Sequence, residues 1–340
     1  MTFNERVRAL EPLGFSERQT RFLVTVALHS GFCLHRHYAA FTRLAYGEGV
    51  RDFFERLVVR KLASRQTFRR DRGHVYHLHH SAIYEAIGQD DNRNRRRTSP
   101  ALIARKLMLL DFVLAQATAD WYATEQDKVA LFTQRFGVPA QDLPRRVYLA
   151  RRAAPEAVST TRYFIHKLPI GLVGEPPTVS FAFLVTDTSG QAFAQFVRDH
   201  ERLMHHLRDW ELVLVCPGHI PGVPACAAAF RGFVADVERR SSPGEREALR
   251  AFFLERQRLL DGDLRKVSMD DIQRFQERHR RLLTPEFAAL YTRWQREGDS
   301  VLIDGGPAGL RAVLASGRPL LTTHRLPYRY DRFGTRPGVS

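Results

Sequence analysis

The sequence predicts an α+β protein in three parts: three helices closed by a β-hairpin, a central α/β domain with a mixed sheet, and a mostly helical C-terminal region. Three observations lead there. Apolar residues recur at helical spacing from Phe22 to Val58, and the period changes to alternation from Ser64 onward. The run from Val179 to Thr186 is almost unbroken in apolar character, as expected of a strand covered on both faces. Helix-opening signals such as Ser242-Pro243-Gly244-Glu245 dominate the last third.

Ser16-Glu17-Arg18-Gln19 has the capping-box pattern, and Phe22, Leu23, Val26 and Ala27 follow it. A first helix therefore runs to about Ser30, and Gly31 ends it. A second, short helix covers His35 to Leu44, with Tyr38 and Phe41 inward. Gly47 and Gly49 make a break before a third helix that places Val50, Phe53, Phe54, Leu57 and Val58 on one face. Ser64 to Phe68 and His74 to His80 read as two strands, joined by a turn over Arg69-Arg70-Asp71-Arg72-Gly73. Three helices and a hairpin are the layout of a winged helix-turn-helix module, here residues 1–90. Ile83, Tyr84 and Ile87 pack back onto it.

Asp90 to Ser99 reads as a polar, arginine-rich linker, and Ser99-Pro100 opens a long helix; together they fill residues 91–124. The helix is apolar from Ala101 to Leu114 but contains Arg105, Lys106 and Asp111. It is too short and too charged to cross a membrane and suits a buried position. The α/β domain, residues 125–235, begins with a helix over Glu125 to Phe136. Strands follow near Val147–Leu149, Thr161–Ile165 and Val179–Thr186. A helix from Gln191 to Leu207 puts Phe193, Phe196, Val197, Leu203, Met204 and Leu207 in one stripe, and a last strand spans Leu212 to Cys216. Residues 236–340 read as mostly helical, with short strands conceivable at Val301–Ile303 and Leu320–Thr323.

Charge indicates where a partner docks. The chain carries a net +15, and residues 1–98 hold more than half of it: 18 basic against 10 acidic residues, net +8. Such an excess favours nucleic acid or an anionic surface. The start lacks an apolar signal core, and the three cysteines form no Cys-x-x-Cys pair. A disulfide framework is therefore not expected, and a cytoplasmic location is.

The hairpin carries the functional expectation. Arg65, Arg69, Arg70, Arg72 and His74 lie at or near its tip, where cations gain affinity for phosphates by releasing counterions. The third helix adds Arg51, Arg56 and Arg60 on faces away from Phe53 and Leu57; Arg36 and Arg43 of the second helix complete the set. In this type of module the N-terminal end of the third helix meets base edges, which points to Arg51. The expected partner is double-stranded DNA, bound by a homodimer, with no membrane.

Other motifs read more simply as structure. Phe32, Tyr38, Tyr46 and Tyr76 have core spacing. His74, His77, His79 and His80 lack acids or thiols to complete a metal shell, so neither metal nor cofactor is expected. Gly305-Gly306-Pro307-Ala308-Gly309 has neither the P-loop nor the dinucleotide spacing. Cys216-Pro217-Gly218-His219 fits a plain turn after a strand.

The capping box at Ser16, the helix Phe53-Phe54-Glu55-Arg56-Leu57-Val58 closed by Lys61-Leu62, and a hairpin ending in Tyr76-His77-Leu78 resemble the replication-relaxation proteins of bacterial plasmids and integrative elements. The α-β-β-β-α-β order of the middle third resembles restriction-endonuclease-type folds. An active member of that group has an acid on its second core strand and an acid with a lysine on its third, to hold Mg²⁺. Here Tyr163–Pro169 contains no acid, and Val185 stands where the third-strand acid would be, leaving Asp187. The resemblance implies a non-catalytic relative: a regulator or accessory factor of a mobile element, with other proteins of that element as further partners. The competing expectation is a metal-dependent nuclease or nicking enzyme, with Glu175 as the acid that swings in.

Overall fold

The computed structural model describes residues 1–45, 47–67, 74–148, 160–217, 222–240, 243–261, 268–283, 285–299, 301–302, 320–328 and 330. The first module begins with a helix that the sequence reading did not draw, α1 (Phe3–Ala9), opened by a capping box of Thr2 and Glu5. Then come α2 (Glu17–His29), capped by Ser16 and Gln19 as expected, a two-residue strand β1 (Phe32–Cys33), α3 (His35–Thr42) and α4 (Glu48–Val59). Strands β2 (Ala63–Thr67) and β3 (His74–Leu78) and helix α5 (Ser81–Ala86) complete it. Among the described residues the sheet has three strands in the order β1-β3-β2, all antiparallel. β1 was too short to carry a period.

An aromatic core holds these elements together. Tyr38 stacks on Phe53 with ring centroids 4.1 Å apart, and Phe22 meets Tyr38 edge-on at 5.1 Å. Phe32, Tyr38 and Tyr76 are all buried, as their spacing predicts; Tyr46 lies outside the described residues.

The polar segment at residues 90–99 is pinned to the module. Asn94 Nδ2 donates to the carbonyls of Ala27 and Leu28 at 2.9 and 3.0 Å, closing the C-terminal end of α2. Its side-chain oxygen accepts from Lys106 Nζ at 2.7 Å, and its carbonyl takes the Nε2–H of His77 at 3.0 Å. Gly31 adopts φ +73° directly beneath; any Cβ there would collide with the Asn94 carbonyl. A Gly is thus required both for the backbone angle and for the approach.

Helix α6 (Pro100–Ala115), capped by Ser99, is buried on most sides. Leu110 belongs to the core of the first module. Ile103, Leu107, Met108 and Phe112 pack with Phe32 and Val75 on one side and with Ala182, Leu184, Val213 and Val215 on the other. Among the described residues no helix is long and apolar enough to cross a membrane.

Among the described residues the central sheet has five strands: β4 (Asp120–Tyr122), β7 (Ile170–Val173), β8 (Thr178–Leu184), β9 (Trp210–Pro217) and β10 (Leu321–Leu326). Their spatial order is β10-β9-β8-β7-β4; β4, β7 and β8 are antiparallel neighbours, and β8, β9 and β10 run parallel. α8 (Gln191–His205) and α9 (Val223–Arg240) pack on one face, through Phe193, Phe196, Val197 and Phe230, and α6 covers the other.

This corrects the expected strand set. The segments near Val147 and Thr161 do form strands, β5 (Arg145–Tyr148) and β6 (Thr160–Tyr163), but among the described residues they pair only with each other, outside the central sheet. Their sheet places are taken by β4 and β7. Gly171 hid β7 by interrupting its apolar run, and the structure explains the glycine. It pairs with Trp121, whose ring would lie 2.7 Å from any Cβ added there. The expected helix from Glu125 continues from α7 (Glu125–Ala130) into a π turn over Leu131–Arg135.

Helices α10 (Pro243–Asp261), α11 (Met269–Arg278) and α12 (Pro285–Glu297) share a small core of Phe252, Phe253, Phe275, Tyr291 and Trp294. Val301 and Leu302 are helical rather than extended, and Ile303 lies outside the described residues. The strand expected near Leu320 is present as β10, so the chain returns to the central sheet after this helical excursion. All three cysteines are buried free thiols.

Candidate nucleic-acid interface

Three elements bring polar side chains to one face of the first module. Arg51 is exposed on the first turns of α4, and Glu55 follows one turn later. Arg65, on β2, donates to Glu55 Oε1 at 2.9 Å; both side chains are about half exposed. His74, on β3, bonds Thr67 Oγ1 at 3.1 Å across the hairpin. Beneath them His35 Nε2 lies 2.8 Å from the Tyr76 hydroxyl. Burial pulls the His35 imidazole below its ordinary value, and His74 and Arg51 push the same way. The ring is therefore neutral at pH 7, and the outer positive charge belongs to Arg51 and Arg65.

The remaining expected residues divide. Arg43 is exposed at the end of α3, where it takes a left-handed conformation at φ +56°. Arg56 and Arg60 lie on the other side of α4. Arg60 Nη1 donates to the Leu13 carbonyl at 2.6 Å, Arg56 Nη2 donates to the Gly14 carbonyl at 3.3 Å, and both cover the Phe15 ring. They close a turn instead of joining Arg51. Arg36 is turned inward: it bonds Asp111 at 2.5 Å and lies 3.7 Å over the Tyr328 ring. Its side chain completes the joint between α3 and α6. Arg69, Arg70 and Arg72 lie outside the described residues. Glu55 and His35 were not anticipated; the Glu55-to-Arg65 spacing across a helix and a strand leaves no periodic signal.

In the central domain the carboxylates are dispersed. Asp187, just beyond β8, accepts from both the amide and the hydroxyl of Ser189 at 2.9 Å, which holds its carboxyl below the usual range. It shapes the turn into α8. Glu175 lies in the turn that opens β8, so the whole strand, on the order of 20 Å, separates the two. Val185 is buried. Glu211 pairs in register with Ser180 and lines a cavity of about 230 Å³ with Phe112, Gln116, Trp121 and His324, also far from Asp187. Among the described residues no three His, Cys, Asp or Glu side chains come together as metal ligands. The Cys216 turn and the Gly305–Gly309 stretch lie partly and wholly outside the described residues.

Compared with known proteins, the chain matches no family model, no curated protein sequence and no solved structure.

Proposed function

We propose that the protein binds duplex DNA through a winged helix-turn-helix module, with α4 in the major groove and the β2–β3 hairpin along the backbone. The observation that carries this reading is the convergence of Arg51, Arg65 and His74 on one face, within the part of the chain that holds more than half of the net positive charge. The three-stranded sheet formed by β1, β2 and β3 supports it, since a winged module uses such a sheet to brace its hairpin. Arg51 is the base-reading candidate and Arg65 a backbone contact. A two-fold dimer would present two such faces to paired half-sites.

The central domain is assigned a supporting role. Its sheet is mixed, with β4, β7 and β8 antiparallel and β9 parallel to β8, and α7, β5 and β6 intervene in the chain between β4 and β7; the likeness to restriction-endonuclease-type cores is part of the proposal. The second and third strands, Ile170–Val173 and Thr178–Leu184, carry no acid. A regulator or accessory factor of a mobile element fits both halves.

Affinity for duplex DNA, measured from low to moderate salt, tests the reading. A log–log slope of several units is expected, and Arg51→Ala should alter discrimination between sequences by about 1–3 kcal/mol. Absence of binding at low salt, or a flat salt response, overturns it.

A further inference from the structure

We propose that the outer face of the β5–β6 ribbon, flanked by Lys167 and Arg93, is a second contact for the DNA backbone, separate from the α4–hairpin face. It rests on the DNA-binding reading above.

Among the described residues the ribbon pairs with no other strand, and every residue of β5 is exposed. Arg146 stands directly opposite Arg162, and Tyr148 opposite Thr160, so these four share one face. That face is the outer one, since Thr160 and Arg162 are exposed while Thr161 and Tyr163 are half-buried. Tyr163 packs against the core of the central sheet. Like charges directly opposite on a strand pair destabilise it, and among the described residues nothing covers this exposed face to compensate. An anion laid across the pair removes the penalty.

The neighbouring charges point the same way. Glu125 is the carboxylate that meets Arg162, at 3.9 Å, and its other oxygen already accepts the Tyr163 amide at 2.8 Å. Arg145 and Arg146 have no ion-pair partner among the described residues. Lys167 is exposed, with φ +53°, just past the end of β6. Its ammonium is lowered by partial burial, then by Arg93, with Arg162 adding to it against Glu125. Arg93 and Arg162 thus each act on Lys167 as like charges. Among the described residues a group of cations meets one carboxylate here, which suits a partner whose negative charge repeats along its length, a phosphate backbone and not a single small anion. The tyrosine and threonine hydroxyls add neutral donors to phosphate oxygens.

The test uses the full chain, a duplex of about three helical turns, and salt titration. Arg146→Ala/Arg162→Ala should lower the salt slope by about 2 and weaken binding on the order of tenfold at moderate salt. Arg146→Lys/Arg162→Lys should restore most of both. If the parent binds and the alanine pair leaves slope and affinity unchanged, the ribbon is not a DNA contact, although the first face stands. If the parent binds no duplex at low salt, the DNA reading falls and the ribbon contact with it. A loss that lysine does not rescue, accompanied by a lower melting temperature, would assign the arginines to folding and overturn the proposal.

Discussion

His37 donates its Nε2–H to Asp111 across 2.9 Å, because its Nδ1 already accepts the Leu34 amide at 3.1 Å. The backbone at the start of α3 therefore fixes the tautomer, and the tautomer fixes the contact to α6. Asp111 also receives Arg36 and the Tyr330 hydroxyl, each at 2.5 Å. Burial alone would raise the Asp111 carboxyl; His37, Arg36 and Tyr330 outweigh it and hold it below the ordinary carboxylate value. One carboxylate thus joins α3, α6 and the segment after β10.

Asp111→Ala should destabilise the protein by about 3–5 kcal/mol, the range for breaking a buried pair and stranding its partner. Tyr330→Phe removes one hydrogen bond from the same oxygen and should cost about 1 kcal/mol. Urea unfolding followed by tryptophan fluorescence measures both. Equal, small losses would place the joint outside the cooperative core.

Stability should fall as pH drops below about 6.5. Burial pulls His77 down to about 4 and His200 down to about 3, so both are neutral in the folded chain. The unfolded chain binds protons at both positions once pH passes below 6.5, their ordinary value. It is favoured progressively, down to about pH 4 for His77 and about pH 3 for His200. Each contributes a slope of up to about 1.4 kcal/mol per pH unit within its window. Stability measured at pH 7 and pH 5 checks this; a flat profile would mean that neither ring is held neutral by the fold.

Glu55→Gln should strengthen DNA binding several-fold and steepen its salt dependence by up to about one unit. In the free protein Glu55 holds the Arg65 guanidinium. The pair is half exposed, so unfolding free energy should change by less than about 1 kcal/mol. An unchanged affinity would place Arg65 away from the phosphates.

Arg56→Ala and Arg60→Ala should each lower stability by about 1 kcal/mol and leave DNA affinity and its salt slope unaltered. Their guanidinium groups are spent on the carbonyls of Gly14 and Leu13. A drop in affinity comparable to that of Arg51→Ala would move the interface to the opposite side of α4.

Supercoiled plasmid incubated with the protein and Mg²⁺ should remain intact. Asp187 is held by Ser189, and neither Glu175 nor Glu211 lies near it. Nicking abolished by Asp187→Ala would make the central domain an enzyme.

Much of the helical scaffold could be read from the sequence because its signals are local. Ser16 with Gln19, Ser99 with Pro100 and the stripe of α8 each act within a few residues of themselves. What could not be read depends on partners distant in the chain. β7 is interrupted by a glycine that only Trp121 explains. Arg36, exposed by its helical position, is claimed by Asp111. The strand character of β5 and β6 was visible, but their separation from the central sheet was not, because a strand's own residues do not name its pairing partner.

Helix α6 is a party wall. Leu110 faces the first module while Ile103, Leu107 and Phe112 join Phe32 and Val75 to the central sheet. The stretch at 90–99 therefore looks like a place to divide the chain and is a poor one. A piece ending there would leave Phe32 and Val75 bare to water, and one beginning there would carry an uncovered helix face prone to self-association. The two halves should melt in one transition.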